Sequence, residues 1–140
     1  MPDYTGPIPM PTPESRPFWD AARRHELQLP CCRACGQYHY YPRATCPHCL
    51  SNDLEWRRLS GRGTVHTFTI VHRGPKGFPL PAPYVMAVVQ LDEGPRMMTN
   101  LLGVPPDPAE IPFGLPVEVT FTDVTPEVTL PHFRPVGAGK

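Results

Sequence analysis

The sequence has no excess of charge of either sign. Lys and Arg number 13, Asp and Glu number 13, and the pI is about 7.0. Residues 61–140 alone carry six basic and seven acidic side chains. Proteins that hold nucleic acid without sequence preference need a cationic surface to neutralise phosphates. We therefore expect no nucleic-acid partner.

Long hydrophobic runs are also missing. No segment reaches the roughly 18 apolar residues that a membrane helix requires, and the N-terminus has neither a basic start nor an apolar stretch. The sequence thus predicts a cytoplasmic protein with no membrane partner. In that reducing compartment, clustered cysteines bind metals or act in catalysis more often than they form disulfides.

Motifs of catalysis are absent as well. There is no Gly-x-Ser-x-Gly, no glycine-rich phosphate loop before a helix, and no evident pairing of histidine with carboxylate. We predict no catalytic residue in this chain, so any enzymatic role would be that of a subunit in a larger complex.

All five cysteines lie within residues 31–49. Cys32 and Cys35 form one C-x2-C pair, Cys46 and Cys49 form a second, and ten residues separate the pairs. This spacing predicts a structural zinc ribbon with four thiolate ligands, leaving Cys31 as a spare thiol. Rubredoxin-type iron has the same ligand spacing, so iron remains an alternative metal.

The segment "GQYHYYPR" between the two cysteine pairs contains three tyrosines. We predict a short hairpin that presents Tyr38, Tyr40 and Tyr41. These rings would cover the ribbon and pack it on its neighbour, or would form a surface for a partner.

A proline-rich arm precedes one predicted helix. Thr12 is a possible N-cap, although the regular helix could instead start at Pro17. Phe18 and Trp19 follow on this helix. We expect these rings to pack on the body of the protein, but because adjacent residues do not share a helix face, one of the two is a candidate to face a partner.

Five short β-rich runs follow Ser60, separated by Gly or Pro turns. They predict a five-stranded OB-fold barrel. The expected protein is mainly β, with an arm and helix over residues 1–28, a rubredoxin-like zinc ribbon over 29–60 and the OB-fold domain over 61–140.

Several ordered motifs resemble the zinc-ribbon/OB-fold family long labelled "domain of unknown function 35", which is found beside thiolases. The matching motifs include "PFWDAARRHELQLPCCRACG", "YPRATCPHC", "PYVMAVVQLDEGPRMMTNLLG" and "FGLPVEVTF". Leu50 is a departure, because the family usually has Gly there. The resemblance implies an accessory subunit in a hetero-oligomer with a thiolase-like acyl-CoA enzyme, with the acyl-CoA near the shared interface.

The resemblance also directs attention to particular residues of this chain. A role in binding CoA phosphates would need cations, and Arg62, Arg73 and Lys76 are the local candidates. Phe78, in the loop after the first barrel strand, is a candidate partner contact together with Phe18 or Trp19. The alternative function is an independent module, either an OB-fold that binds single-stranded nucleic acid or an iron protein that transfers electrons.

Overall fold

Seven strands and one short α-helix form the regular structure of residues 8–74 and 82–136, the part of the chain that the computed structural model describes. The elements, in chain order, are α1 (Arg16–Arg23), β1 (Gln28–Cys32), β2 (Leu54–Arg58), β3 (Arg62–Val71), β4 (Tyr84–Leu91), β5 (Arg96–Leu101), β6 (Pro116–Asp123) and β7 (Thr129–Pro135). A single 3-10 turn, Pro108–Glu110, precedes β6. No helix in these ranges is long and apolar enough to cross a membrane.

Helix α1 starts later than a cap at Thr12 would place it. Ser15 is the N-cap, and Thr12 closes a preceding turn in which its carbonyl accepts the Arg16 N–H at 2.8 Å. A helix that began at Pro13 would need an N–H at Pro17, which proline lacks. With Pro17 in the first turn no such bond is required, so the alternative start near Pro17 is the better prediction.

The ribbon is built on a two-stranded antiparallel sheet whose strands lead into and out of the cysteine-rich segment. Strands β1 and β2 pair from Gln28 opposite Arg58 to Cys32 opposite Leu54. The predicted hairpin around Tyr38 does not form: Tyr38 makes one isolated bridge with Cys31. On that edge of β1, Pro30 accepts the His39 N–H but has no N–H to return, so the ladder cannot continue.

The five strands predicted after Ser60 close into a barrel in the order β3-β4-β5-β7-β6. Strand β3 has a bulge between Val65 and Thr67, pairs with β4 along most of its length and pairs with β6 over only three residues, Arg62 to Thr64. Strands β5 and β7 run parallel and meet at Leu101 and Phe133. This arrangement confirms the predicted OB-type barrel.

The barrel core is continuous with the helix and the ribbon. Alternate residues of each strand point inward, as the buried, exposed, buried pattern of β5 shows. One cluster contains the barrel residues together with side chains from α1 and the ribbon; its members include Val65, Val89, Leu91, Met97, Val117, Phe133, Phe18, Trp19, Leu27 and Leu29. The N-terminal elements therefore pack on the barrel directly.

Candidate metal centre and partner surfaces

The four predicted ligand sulfurs converge at one end of the ribbon. The Sγ atoms of Cys32 and Cys49 lie 3.6 Å apart and those of Cys35 and Cys46 lie 3.7 Å apart. All four lie within 4.8 Å of one another. A tetrahedron with metal–sulfur bonds of about 2.3 Å has edges of about 3.8 Å. The separations therefore fit a single ion at the centre of four thiolates.

Two similar turns position the ligands. In the first turn the Gly36 N–H donates to the Cys32 carbonyl at 2.7 Å, and in the second the Leu50 N–H donates to the Cys46 carbonyl at 2.8 Å. Both turns end in the left-handed conformation, with φ +78° at Gly36 and +67° at Leu50. The position where the family resemblance expects Gly thus needs glycine-like backbone geometry, and Leu50 occupies it under strain.

Backbone N–H groups, desolvation and the neighbouring sulfurs shift the thiol pKa values of Cys32 and Cys35 in opposite directions. The backbone N–H of Cys35 is the largest influence that lowers the pKa of Cys32 to about 6. The N–H of Gln37 favours the Cys35 thiolate, but desolvation and the other three sulfurs outweigh it and raise the pKa of Cys35 to about 12. A divalent cation would stabilise all four thiolates together, so the donor set fits a metal such as zinc.

Neighbouring candidates do not join this donor set. The Cys31 thiol is buried and lies 3.7 Å from the Gly36 carbonyl. His39 Nε2 accepts the backbone N–H of Arg43 at 3.2 Å, and His48 Nε2 donates to the Tyr38 carbonyl at 3.4 Å. Four thiolates fill a tetrahedral sphere and leave no position for water or substrate, so the centre can stabilise the fold but cannot activate a reactant.

The expectation that one of Phe18 and Trp19 faces outward is corrected by the structure. Phe18 is 1% exposed and Trp19 is 9% exposed. Both sides of the short helix are covered, because the ribbon packs on it as well as the barrel. The two rings meet edge to face at 4.9 Å, and the Trp19 Nε1–H donates to the hydroxyl of Tyr41 at 2.9 Å. Neither ring is available to a partner in this conformation.

The two described members of the cationic group nominated for CoA, Arg62 and Arg73, lie apart. Arg62 starts β3 and Arg73 lies two residues beyond its end, so the two guanidinium groups belong to opposite ends of a ten-residue strand. At about 3.3 Å per residue the chain between them is roughly 36 Å long, and the strand places them near its two ends rather than side by side. Lys76 and Phe78 lie outside the described residues.

Exposed apolar side chains on the barrel were not singled out from the sequence. Phe113 is 74% exposed on the loop before β6, and Met98 is 62% exposed on β5. The sequence contained enough information to predict that Met98 is exposed, because neighbouring residues of a strand face opposite sides of the sheet and Met97 faces inward. Phe113 follows a proline and precedes a glycine, and only the fold shows that its ring stands outside the core.

The chain matches two family models and several known proteins. Residues 19–55 match "ChsH2, rubredoxin-like zinc ribbon domain" and residues 56–122 match "ChsH2, C-terminal OB-fold domain".

The chain is 41% identical over 120 residues to the probable enoyl-CoA hydratase alpha subunit of Thermomonospora curvata, covering 84% of this chain and 36% of that protein. It is 36% identical over 72 residues to the benzoylsuccinyl-CoA thiolase subunit BbsA of Geobacter metallireducens, covering 51% of this chain and 47% of that protein. The chain thus spans less than half the length of these curated relatives.

Among solved structures, a chain of the "Ltp2-ChsH2(DUF35) aldolase" superposes with a TM-score of 0.79 at 36% identity, covering 91% of this chain and 98% of that chain. The fold and the four-thiolate centre define a zinc ribbon joined to an OB barrel. The sequence agreement goes further: this chain belongs to the DUF35 family, with domains of the ChsH2 type.

Proposed function

We propose that this protein is a noncatalytic accessory subunit that binds a thiolase-superfamily acyl-CoA enzyme and supports its activity or stability. The observation that carries the proposal is the agreement, over 91% of this chain, with a chain of the Ltp2-ChsH2(DUF35) aldolase, which is named for two components. Two relatives, the probable enoyl-CoA hydratase alpha subunit and the benzoylsuccinyl-CoA thiolase subunit BbsA, are also named as subunits. Such a role requires a stable surface and no reactive group of its own.

The chemistry of the described residues fits this role. The one cluster of potential metal ligands found among them is the closed set of four thiolates. A ribbon of this size has little apolar core, so the free energy of metal binding would supply much of its folding free energy. We propose zinc as the ion, with the metal joining the two cysteine turns of the ribbon.

The arm before the helix is one source of partner contacts. Ile8 and Met10 are exposed, and prolines at 9, 11 and 13 restrict the backbone between them and the helix. A restricted segment loses less conformational entropy on binding than a flexible one. We propose that this arm contributes to the interface, in a cytoplasmic complex whose acyl-CoA lies near the shared surface.

The test is co-expression with the thiolase-superfamily enzyme encoded beside this chain. We expect co-purification as a hetero-oligomer, enzyme activity or solubility that depends on this chain, and no acyl-CoA turnover by this chain alone. A truncation lacking residues 1–11 should weaken the complex. Turnover by the isolated chain, or no complex with any such enzyme, would refute the proposal.

Single-stranded nucleic acid is the competing ligand for an OB barrel. It is not favoured, because the barrel sequence has one more acidic than basic residue. Fluorescence anisotropy with labelled oligonucleotides at physiological salt should show no binding. Micromolar affinity with a steep inverse dependence on salt would favour this alternative. An iron centre would be revealed by a coloured, redox-active protein.

A further inference from the structure

Strand β3 has two edges that are used unequally. One edge pairs with β4 along most of the strand, whereas the other pairs with β6 only from Arg62 to Thr64. The loop before β6 extends this second edge by one residue, because the Val65 N–H donates to the Leu115 carbonyl at 3.0 Å and the Gly114 N–H donates to the Val65 carbonyl at 2.8 Å. Within residues 8–74 and 82–136, no strand or loop continues this pairing along 67–71.

An open edge leaves backbone groups without protein partners. Alternate residues of a strand direct their N–H and C=O groups to the same side, so every second residue of 67–71 presents both at this edge. Proteins usually protect such edges with Lys, Pro or a covering segment. The sequence of 67–71 is Thr-Phe-Thr-Ile-Val, which contains no charge and no proline.

The chain does cover the corresponding open edge of β6. Beyond its pairing with β3, β6 is approached by the N-terminal elements: the His25 ring stacks on Phe121 at 5.3 Å, and its Nε2 lies 3.0 Å from Asp123 Oδ1. Beyond the point where β3 and β6 separate, side chains of the N-terminal elements thus contact β6, whereas the loop that carries Phe113 lies beside β3. Among the described residues, no segment pairs with the β3 backbone along 67–71, so this is the edge at which we consider another chain.

An aromatic ring stands beside the open edge. Phe113 is 74% exposed, and its ring centroid lies 5.8 Å from that of Phe68, which belongs to the edge segment. The two backbone hydrogen bonds between its loop and Val65 fix the loop where the pairing with β3 stops. A strand added along 67–71 would begin next to this ring, and exposed aromatics held in one place are frequent energetic anchors of interfaces.

We propose that the open edge of β3, residues 67–71, receives an extended segment of the partner enzyme as an added β-strand, with Phe113 as its side-chain anchor. Main-chain hydrogen bonds supply the affinity in this mode of recognition, and neighbouring side chains supply the selectivity. The inference rests on the proposed function. The occupant is the partner enzyme because the solved relative is named with a second protein and the relatives are named as subunits.

The test compares variants in the co-expressed complex. Thr69 is exposed on the edge segment. Thr69→Lys places a charge there and should weaken the complex at least tenfold, whereas the matched control Thr69→Val keeps the shape and strand propensity and should bind as the wild type does. Phe113→Ser should also weaken binding tenfold or more. Circular dichroism and thermal melts of the free variants establish that they fold.

Hydrogen exchange gives an independent measurement. Amides of 67–71 that exchange fast in the free protein should become protected in the complex.

Unchanged affinity for Thr69→Lys and Phe113→Ser, with no added protection, would overturn the inference while the complex and the proposed function stand. Loss of binding in Met98→Lys alone would overturn it in favour of the outer face of β5. Protection that rises with the concentration of the free chain would instead identify a second copy as the occupant. If the wild-type chain forms no complex, the proposed function fails and this inference fails with it.

Discussion

The indole N–H of Trp19 donates a hydrogen bond to the hydroxyl of Tyr41, with 2.9 Å between Nε1 and Oη. This bond joins helix α1 to the irregular segment between the two cysteine pairs. Phe18 completes the contact, since its ring lies 6.1 Å from that of Tyr41. The helix therefore fixes the position of the ribbon as well as covering the barrel, and the bond satisfies the one polar atom of an otherwise buried indole.

We expect Trp19→Ala to lower the free energy of unfolding by about 3 kcal/mol, because it empties a buried aromatic site. Tyr41→Phe removes only the hydrogen-bond acceptor and should cost about 1 kcal/mol. Urea denaturation of the metal-loaded variants measures both. In a double-mutant cycle with Trp19→Phe, additive effects would show that the hydrogen bond contributes no coupling.

The metal centre gives the second prediction. The purified protein should contain one zinc ion per chain. Replacing Cys32, Cys35, Cys46 or Cys49 by Ser should lower the metal content and destabilise the ribbon, because metal binding and folding are coupled. Cys31→Ser is the matched control, since its buried sulfur lies outside the donor set. Elemental analysis and thermal melts provide the measurements. Loss of metal in Cys31→Ser with retention in Cys32→Ser would show that the ligand assignment is wrong.

The features that sequence predicted well are those fixed by short-range spacing. Each C-x2-C pair sits on one tight turn, and the pairing of β1 with β2 brings the two turns together so that the four sulfurs meet. The five barrel strands were equally accessible, because β-branched runs such as that of β4 end at Gly and Pro turns. In both cases the local pattern and the final fold favour the same structure.

The features that sequence could not supply depend on how separate elements meet. Phe18 and Trp19 are both buried because α1 is packed between the ribbon and the barrel, which no helical periodicity reveals. Arg62 and Arg73 are close in sequence but sit at opposite ends of β3. Strand β3 has a bulge after Val65 in its pairing with β4 and stops pairing with β6 nearby, and no local sequence pattern reveals either feature.

Leu50 leads to the third prediction. The φ of Leu50 is +67°, and in this conformation a residue with a Cβ is about 1–2 kcal/mol less stable than glycine. Against this, glycine loses more conformational entropy on folding, which costs about 0.5–1 kcal/mol. The Leu50 side chain is 77% exposed, so little packing would be lost. We therefore expect Leu50→Gly to stabilise the ribbon by up to about 1 kcal/mol, measured as resistance to metal removal by a chelator. Leu50→Ala is the control, because it removes the side chain without removing the strain; equal effects of both changes would contradict this explanation.

His132 gives the fourth prediction, which concerns pH. It lies on β7, where its Nδ1 is 3.2 Å from the hydroxyl oxygen of Thr122, and burial lowers its pKa below the usual value. Between that lowered pKa and the unfolded value of about 6.5, the unfolded chain binds the proton and the folded chain does not. The contribution of His132 to stability is therefore fully present above about pH 6.5 and is lost as the pH falls toward the folded pKa.

His132→Gln removes this titration and can keep a hydrogen bond to Thr122. We expect the free energy of unfolding of this variant to fall less than that of the wild type between pH 7.5 and 5, an interval chosen around the unfolded value of about 6.5. Denaturation of metal-saturated protein at each pH measures the slope, and acid release of metal affects both proteins alike. His66→Gln, at an exposed position of β3, is the matched control for replacing a histidine of the barrel. Because burial also lowers the pKa of His39, part of the pH dependence should survive in His132→Gln. Identical slopes for wild type and His132→Gln would mean that the folded barrel accepts a proton on His132 as readily as the unfolded chain does.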